Sequence, residues 1–106
     1  DVSFSAIPIS DNHIWACSDK GISVGEASAP RIEKNIVNGC AYGIAIKDRS
    51  EAAIVNNTLS DNEIAIGLYL KKPHFIKGGT AFLQNNTFTD NVQNITVDDY
   101  SRVIYE

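Results

Sequence analysis

The sequence predicts an all-β solenoid of four to five stacked coils, each about 22 residues long. Three observations predict it. The stretch GISVGEAS at residues 21–28 returns as GIAIKDRS at residues 43–50, a step of 22 residues. Asparagines recur at Asn12, Asn35, Asn57 and Asn86, at steps of 23, 22 and 29 residues. Between these anchors apolar residues alternate in short bursts, broken by Gly, Asn, Asp and Ser, which is strand-and-turn patterning. A helical reading fails because Asn-Asn-Thr runs, Gly and β-branched residues are poor helix formers.

Each coil is justified in the same order. Its first apolar position is Ile9, Ile32, Ile54 or Leu83, and the anchor Asn follows three residues later. Two residues further on stand Ile14, Val37, Leu59 and Phe88, and then Cys17, Cys40, Asn62 and Asn91. An apolar pair completes the coil: Ile22 and Val24, Ile44 and Ile46, a pair within residues 64–70, then Ile95 and Val97. A unit of three short strands and three turns cannot bury its own inward face, so the coils must stack. Stacking turns each inward column into a ladder of like residues at the ~4.8 Å spacing of strands. Asn suits such a ladder, since its amide both donates and accepts, and it tolerates the left-handed turn conformation.

The stretches "GIAI", "IVNNTLSDN" and "LQNNTFTDN" resemble the right-handed parallel β-helix repeats of the pectin-lyase-like superfamily, over about residues 9–97. The resemblance implies a right-handed parallel β-helix. It does not select a chemistry, because that superfamily includes polysaccharide lyases, glycoside hydrolases, epimerases, adhesins and phage tail proteins. A left-handed β-helix would need a hexapeptide period and a leucine-rich repeat a Leu-rich frame; neither is present.

The chain has 106 residues, 9 Lys and Arg against 13 Asp and Glu, and a net charge of -4. That balance argues against nucleic acid as the main partner. No apolar run approaches the ~20 residues of a membrane span. No leader or terminal cap is visible, so residues 1–106 are read as a single β-helix domain excerpted from a longer one. Its expected partners are further coils, other domains of a longer chain, or an end-to-end partner. The expected location is extracellular, cell-surface or periplasmic.

The third coil is where a binding site is expected. Its step of 29 residues leaves an inserted loop at residues 71–79, and solenoid insertions map to one face, often the binding face. The loop holds Lys71, Lys72, His74 and Lys77 without a carboxylate, and Tyr69 and Phe75 flank it. Tyr69, Lys71, Lys72, His74 and Lys77 are therefore the expected contacts for an anionic polysaccharide such as a uronate polymer. The alternative is a solvated loop on a non-catalytic structural or adhesive module. Beside the loop, Glu26, Asp48 and Asp99 are expected in one column, with Lys72 between the last two, as a solvated ion-paired face. Lys47, Asp48 and Arg49 are the catalytic candidates, since a lyase or epimerase needs a cation near the proton it abstracts. No lyase signature is recognisable, so the expectation leans against an enzyme; if one exists, it is a polysaccharide lyase, an epimerase or a glycoside hydrolase.

Asp61 and Asp90 also stack, and adjacent carboxylates could hold calcium, the one cofactor considered. Asp-Asn after a strand is equally a turn formula, and the turn is the favoured reading. His13 is expected to face solvent, and the histidines give no metal site. Cys17 and Cys40 occupy equivalent positions, close enough for a disulfide between coils; two reduced thiols in a turn ladder fit equally well.

Overall fold

The computed structural model describes residues 1–106, and it is built almost wholly of short strands. In chain order they are β1 (Val2–Ser3), β2 (Ile9–Ser10), β3 (His13–Trp15), β4 (Lys20–Gly25), β5 (Arg31–Glu33), β6 (Ile36–Asn38) and β7 (Tyr42–Lys47). They continue as β8 (Glu51–Val55), β9 (Thr58–Ser60), β10 (Ile64–Tyr69), β11 (Thr80–Gln84), β12 (Thr87–Thr89), β13 (Gln93–Val97) and β14 (Arg102–Tyr105). A single 3-10 turn, Pro73–Phe75, lies in the insertion.

Every third strand stacks on its predecessor, in parallel. One sheet runs β1-β4-β7-β10-β13, a second β14-β11-β8-β5-β2 and a third β12-β9-β6-β3. This is a parallel β-helix. The register matches the columns expected from sequence: Ile9 faces Ile32, then Ile54, then Leu83. Ile14, Val37, Leu59 and Phe88 align in the third sheet. The undecided pair of the third coil is Ile66 and Leu68, between Ile44 and Ile46 on one side and Ile95 and Val97 on the other. The inward residues of the three sheets fill one continuous core, in which Ile32, Ile44, Ile46, Ile54, Leu59 and Ile66 are fully buried.

Two asparagine ladders close two of the three corners. Asn35 donates its backbone N–H (2.9 Å) and its side-chain amide (3.0 Å) to Asn57 Oδ1. Asn57 does the same to Asn86 Oδ1, and its amide also donates to the Ile32 carbonyl at 3.0 Å. At the second corner Asn62 donates to Asn91 Oδ1, while Asn62 Oδ1 accepts from the Cys40 N–H at 3.0 Å.

One detail differs from the sequence reading. The left-handed residue is not the ladder asparagine but the residue before it: Asp11, Lys34, Asn56 and Asn85 have φ of 58°, 58°, 57° and 56°. Each ladder asparagine can then aim its amide along the stack. The doublets Asn56-Asn57 and Asn85-Asn86 thus combine two jobs, a residue that tolerates positive φ and one that hydrogen-bonds between coils. Asp61 and Asp90 have the same role before Asn62 and Asn91, with φ of 55° and 56°.

The third corner is built differently. The Ser28 hydroxyl accepts the Ser5 N–H and donates to the Gly25 carbonyl, and the Ser50 hydroxyl accepts the Ser28 N–H, each within 3.1 Å. In the third coil the insertion interrupts this serine ladder. The loop returns at Gly79, packed so close to the Ile46 carbonyl that a β-carbon would overlap it. The ladder then resumes as the Gly79 N–H donates to Ser101 Oγ at 3.1 Å.

Candidate groove on the first sheet

The outward face of the first sheet has a low centre and charged margins. Its middle column is Ser23, Ala45, Gly67 and Thr96, all small. One flanking column starts at Lys20 and Tyr42, and the other contains Gly25, Lys47 and Tyr69. Small residues between long ones make a trough. Towards β4 it opens into a groove of about 420 Å³. Lys20, Ser23, Glu26, Lys47, Lys71 and Lys72 are among the residues that line it.

Lys47 crosses the floor. Its ammonium lies 2.9 Å from Ser23 Oγ, on a strand of the preceding coil, and Gly25 leaves room for its stem to pass. It has no carboxylate within ion-pair reach, unlike Lys20 on Asp19 (3.0 Å) and Lys72 on Glu26 (3.1 Å). Partial burial, with the nearby Lys71, Lys20 and Lys72, lowers the Lys47 pKa, and Asp48 acts the other way. The hydrogen bond that Lys20 donates to Asp19 raises the pKa of Lys20, and the one that Glu26 accepts from Lys72 lowers that of Glu26. Burial raises the Tyr69 phenol.

Asp48 corrects an expectation. The column of Glu26, Asp48 and Asp99 is not a solvated face throughout, because Asp48 is only 1% exposed. Its Oδ1 accepts the backbone N–H groups of Lys71 (2.7 Å) and Lys72 (2.9 Å). A carboxylate so engaged fixes the base of the loop, and charge-assisted bonds of this kind are the stronger ones. Nor does Lys72 sit between Asp48 and Asp99: the register puts Leu70 opposite Asp48, and the Leu70 N–H donates to Asp98 Oδ2. The loop instead leans back across two coils. Lys72 reaches Glu26, and the Phe75 ring packs 6.3 Å from Phe4.

Lys47, Asp48, Lys71 and Lys72 are thus gathered at one groove. The other candidates are not. Tyr69 is half-buried with its ring 5.7 Å from Tyr42, and His74 stacks on Phe75 at 4.5 Å at the loop tip. The Lys77 carbonyl accepts the Arg49 N–H at 3.1 Å, so these two residues meet through their backbones. Lys20 and Ser23 were missed, and Glu26, expected in the ion-paired column, was not expected to line a groove. The register of the repeat puts Gly25 opposite Lys47, and that gap was the available signal.

Cys17 and Cys40 do fall opposite one another, two residues beyond the Trp15–Asn38 pair. Both thiols are free, and each lies over the carbonyl two residues earlier in its own chain. Burial, chiefly, and the neighbouring Cys17 push the Cys40 thiol up to about 11 from an ordinary value of 9.0. Between these two values the unfolded chain loses this proton and the folded chain keeps it, so stability falls as pH rises through the interval. Under reducing conditions, thermal midpoints measured from pH 8 to 11 should fall more steeply for the wild type than for Cys40→Ala. Parallel curves would mean that the thiol ionises freely in the folded state.

No three His, Cys, Asp or Glu side chains stand close enough to share a metal ion, and no helix is long and apolar enough to cross a membrane. Stacked parallel coils with an asparagine-laddered core and one overhung outer groove define a β-helix module. More particularly, the chain matches the family described as periplasmic copper-binding protein (NosD) over residues 2–106, and it belongs to that family. The family is periplasmic, which lies within the extracytoplasmic range expected from the sequence. No curated protein and no solved structure matches the chain.

Proposed function

We propose that this periplasmic β-helix module binds an anionic polysaccharide, of the uronate class, in the groove under the inserted loop. One observation carries the reading. Lys47 holds a half-buried ammonium on a serine hydroxyl with no carboxylate partner, and three further lysines border the same groove. A cation so held gains an ion pair from an incoming carboxylate at little further desolvation cost. The sugar's ring hydroxyls would meet Ser23, the small polar residue of the central column that lines the groove. The binding is electrostatic and therefore salt-sensitive.

Copper, the metal in the family's description, has no matching donor set here. The nearest pair of soft ligands is Cys17 and Cys40; each would have to release its thiol proton to a bound metal, which burial makes costlier at Cys40, and no third His, Cys, Asp or Glu stands with them. No step of the proposed binding runs through a metal.

The test is a glycan array probed at low and high salt. The wild type should bind uronate polymers at low salt and lose them at high salt, and Lys71→Ala/Lys72→Ala should not bind. Surface substitutions of this kind leave stability within about 0.5 kcal/mol, so a loss would report on the site rather than on folding. Silence across all glycans would contradict the proposal and favour a purely structural module.

A further inference from the structure

Three ammonium groups are parked along β4 and its ends. Lys20 is held at Asp19, Lys47 at Ser23 and Lys72 at Glu26. The acceptors are three or four residues apart, which in extended backbone is about 10 Å or slightly more. That is the scale of an extended disaccharide. The row runs along a strand, across the axis of the coil stack. The outer two cations already have protein carboxylates, and only the middle one does not. Acidic and basic side chains are balanced around the groove: Lys20, Lys47, Lys71 and Lys72 against Asp1, Asp19, Glu26 and Asp48.

We infer that Glu26 is a built-in competitor for the ligand: it holds Lys72 where an outer carboxylate of a bound oligouronate would sit, so it moderates the groove's affinity for oligouronates without affecting a single anion held at Lys47. This deepens the proposed function and rests on it. The geometry is suited to release. Glu26 and Lys72 are partly exposed, with side-chain exposures of 31% and 43%, and Glu26 has one other partner, Ser3 Oγ at 3.3 Å. The base of the loop stays fixed, because Lys71 and Lys72 are anchored through their backbone to buried Asp48. The Lys72 side chain can therefore swing from Glu26 to a ligand without moving its own backbone. A monomeric uronate engaging Lys47 alone cannot reach Lys72 and gains nothing from the exchange. A longer oligomer spans both.

The experiment titrates galacturonate monomer and tetragalacturonate into the wild type, Lys47→Ala, Glu26→Gln, Lys72→Ala and Glu26→Gln/Lys72→Ala, at low salt. Glu26→Gln should tighten the tetramer about two- to fivefold, the range of one exposed ion pair, and leave the monomer unchanged. In the double variant the gain should vanish, because it acts through Lys72. Tetramer binding that needs Lys47 but ignores Glu26→Gln would overturn this inference and leave the proposed function standing. Tetramer binding that is absent, or indifferent to Lys47, would remove both.

Discussion

Asn57→Ala should cost roughly 3 kcal/mol or more of unfolding free energy, because it strips a buried group of several hydrogen bonds at once. Asn57 Oδ1 accepts two bonds from Asn35, and its amide donates to the Ile32 carbonyl and to Asn86. Asn35 and Asn57 are each only 1% exposed, so water cannot replace what is lost. The Asn35 N–H would be left buried without a partner, and such a group costs about 1–3 kcal/mol by itself. Asn12 is the internal control. It is exposed, donates to Asn35 and accepts no bond from a coil beyond it. Asn12→Ala should cost no more than about 1 kcal/mol. Denaturant midpoints followed by circular dichroism compare the two. Equal costs would mean that the ladder is incidental to stability.

Ile66→Ala should cost about 2–5 kcal/mol, the usual range for truncating a buried aliphatic side chain. Ile66 is fully buried and lies between Ile44 and Ile95 in the ladder of the first sheet. Neighbours above and below are fixed by strand pairing, so the vacated space cannot readily collapse. The matched control is Phe82→Ala on the outer face of the second sheet, where the ring is 39% exposed. Its cost should be clearly smaller, since a side chain that keeps much of its surface in water loses less transfer energy. Similar costs would imply that the core is loosely packed.

The fold was legible because stacking writes its register into the sequence. An asparagine that must bond its own copy in the next coil has to recur at each coil, and so must the apolar residues on either side of it. Asn12, Asn35, Asn57 and Asn86 therefore gave the pairing of the second and third sheets residue by residue. The roles within a turn were less legible. Asn56 and Asn57 look alike in sequence, yet one takes the left-handed backbone and the other forms the ladder; only the direction of the amide separates them.

The candidate groove was half legible. The insertion does overhang a groove, and Lys47, Asp48, Lys71 and Lys72 meet there. What escaped was everything set by the path of the loop, because an insertion belongs to no repeat and no column predicts it. Its lean across two coils brings Lys72 to Glu26 and Phe75 to Phe4. It also draws Asp48 out of solvent and leaves His74 at the tip. Lys47, one of the three catalytic candidates, points outward, and the gap at Gly25 lets it form the floor of the groove.

The most direct measurement is a titration of polygalacturonate and of the neutral polymer dextran into the wild type and Lys47→Ala, at low and at high salt. The wild type should bind the polyuronate and not dextran, with affinity falling as salt rises. Lys47→Ala should weaken that binding about tenfold, the loss of one desolvated charge contact. Binding of both polymers alike, or equal affinity with and without Lys47, would contradict the account.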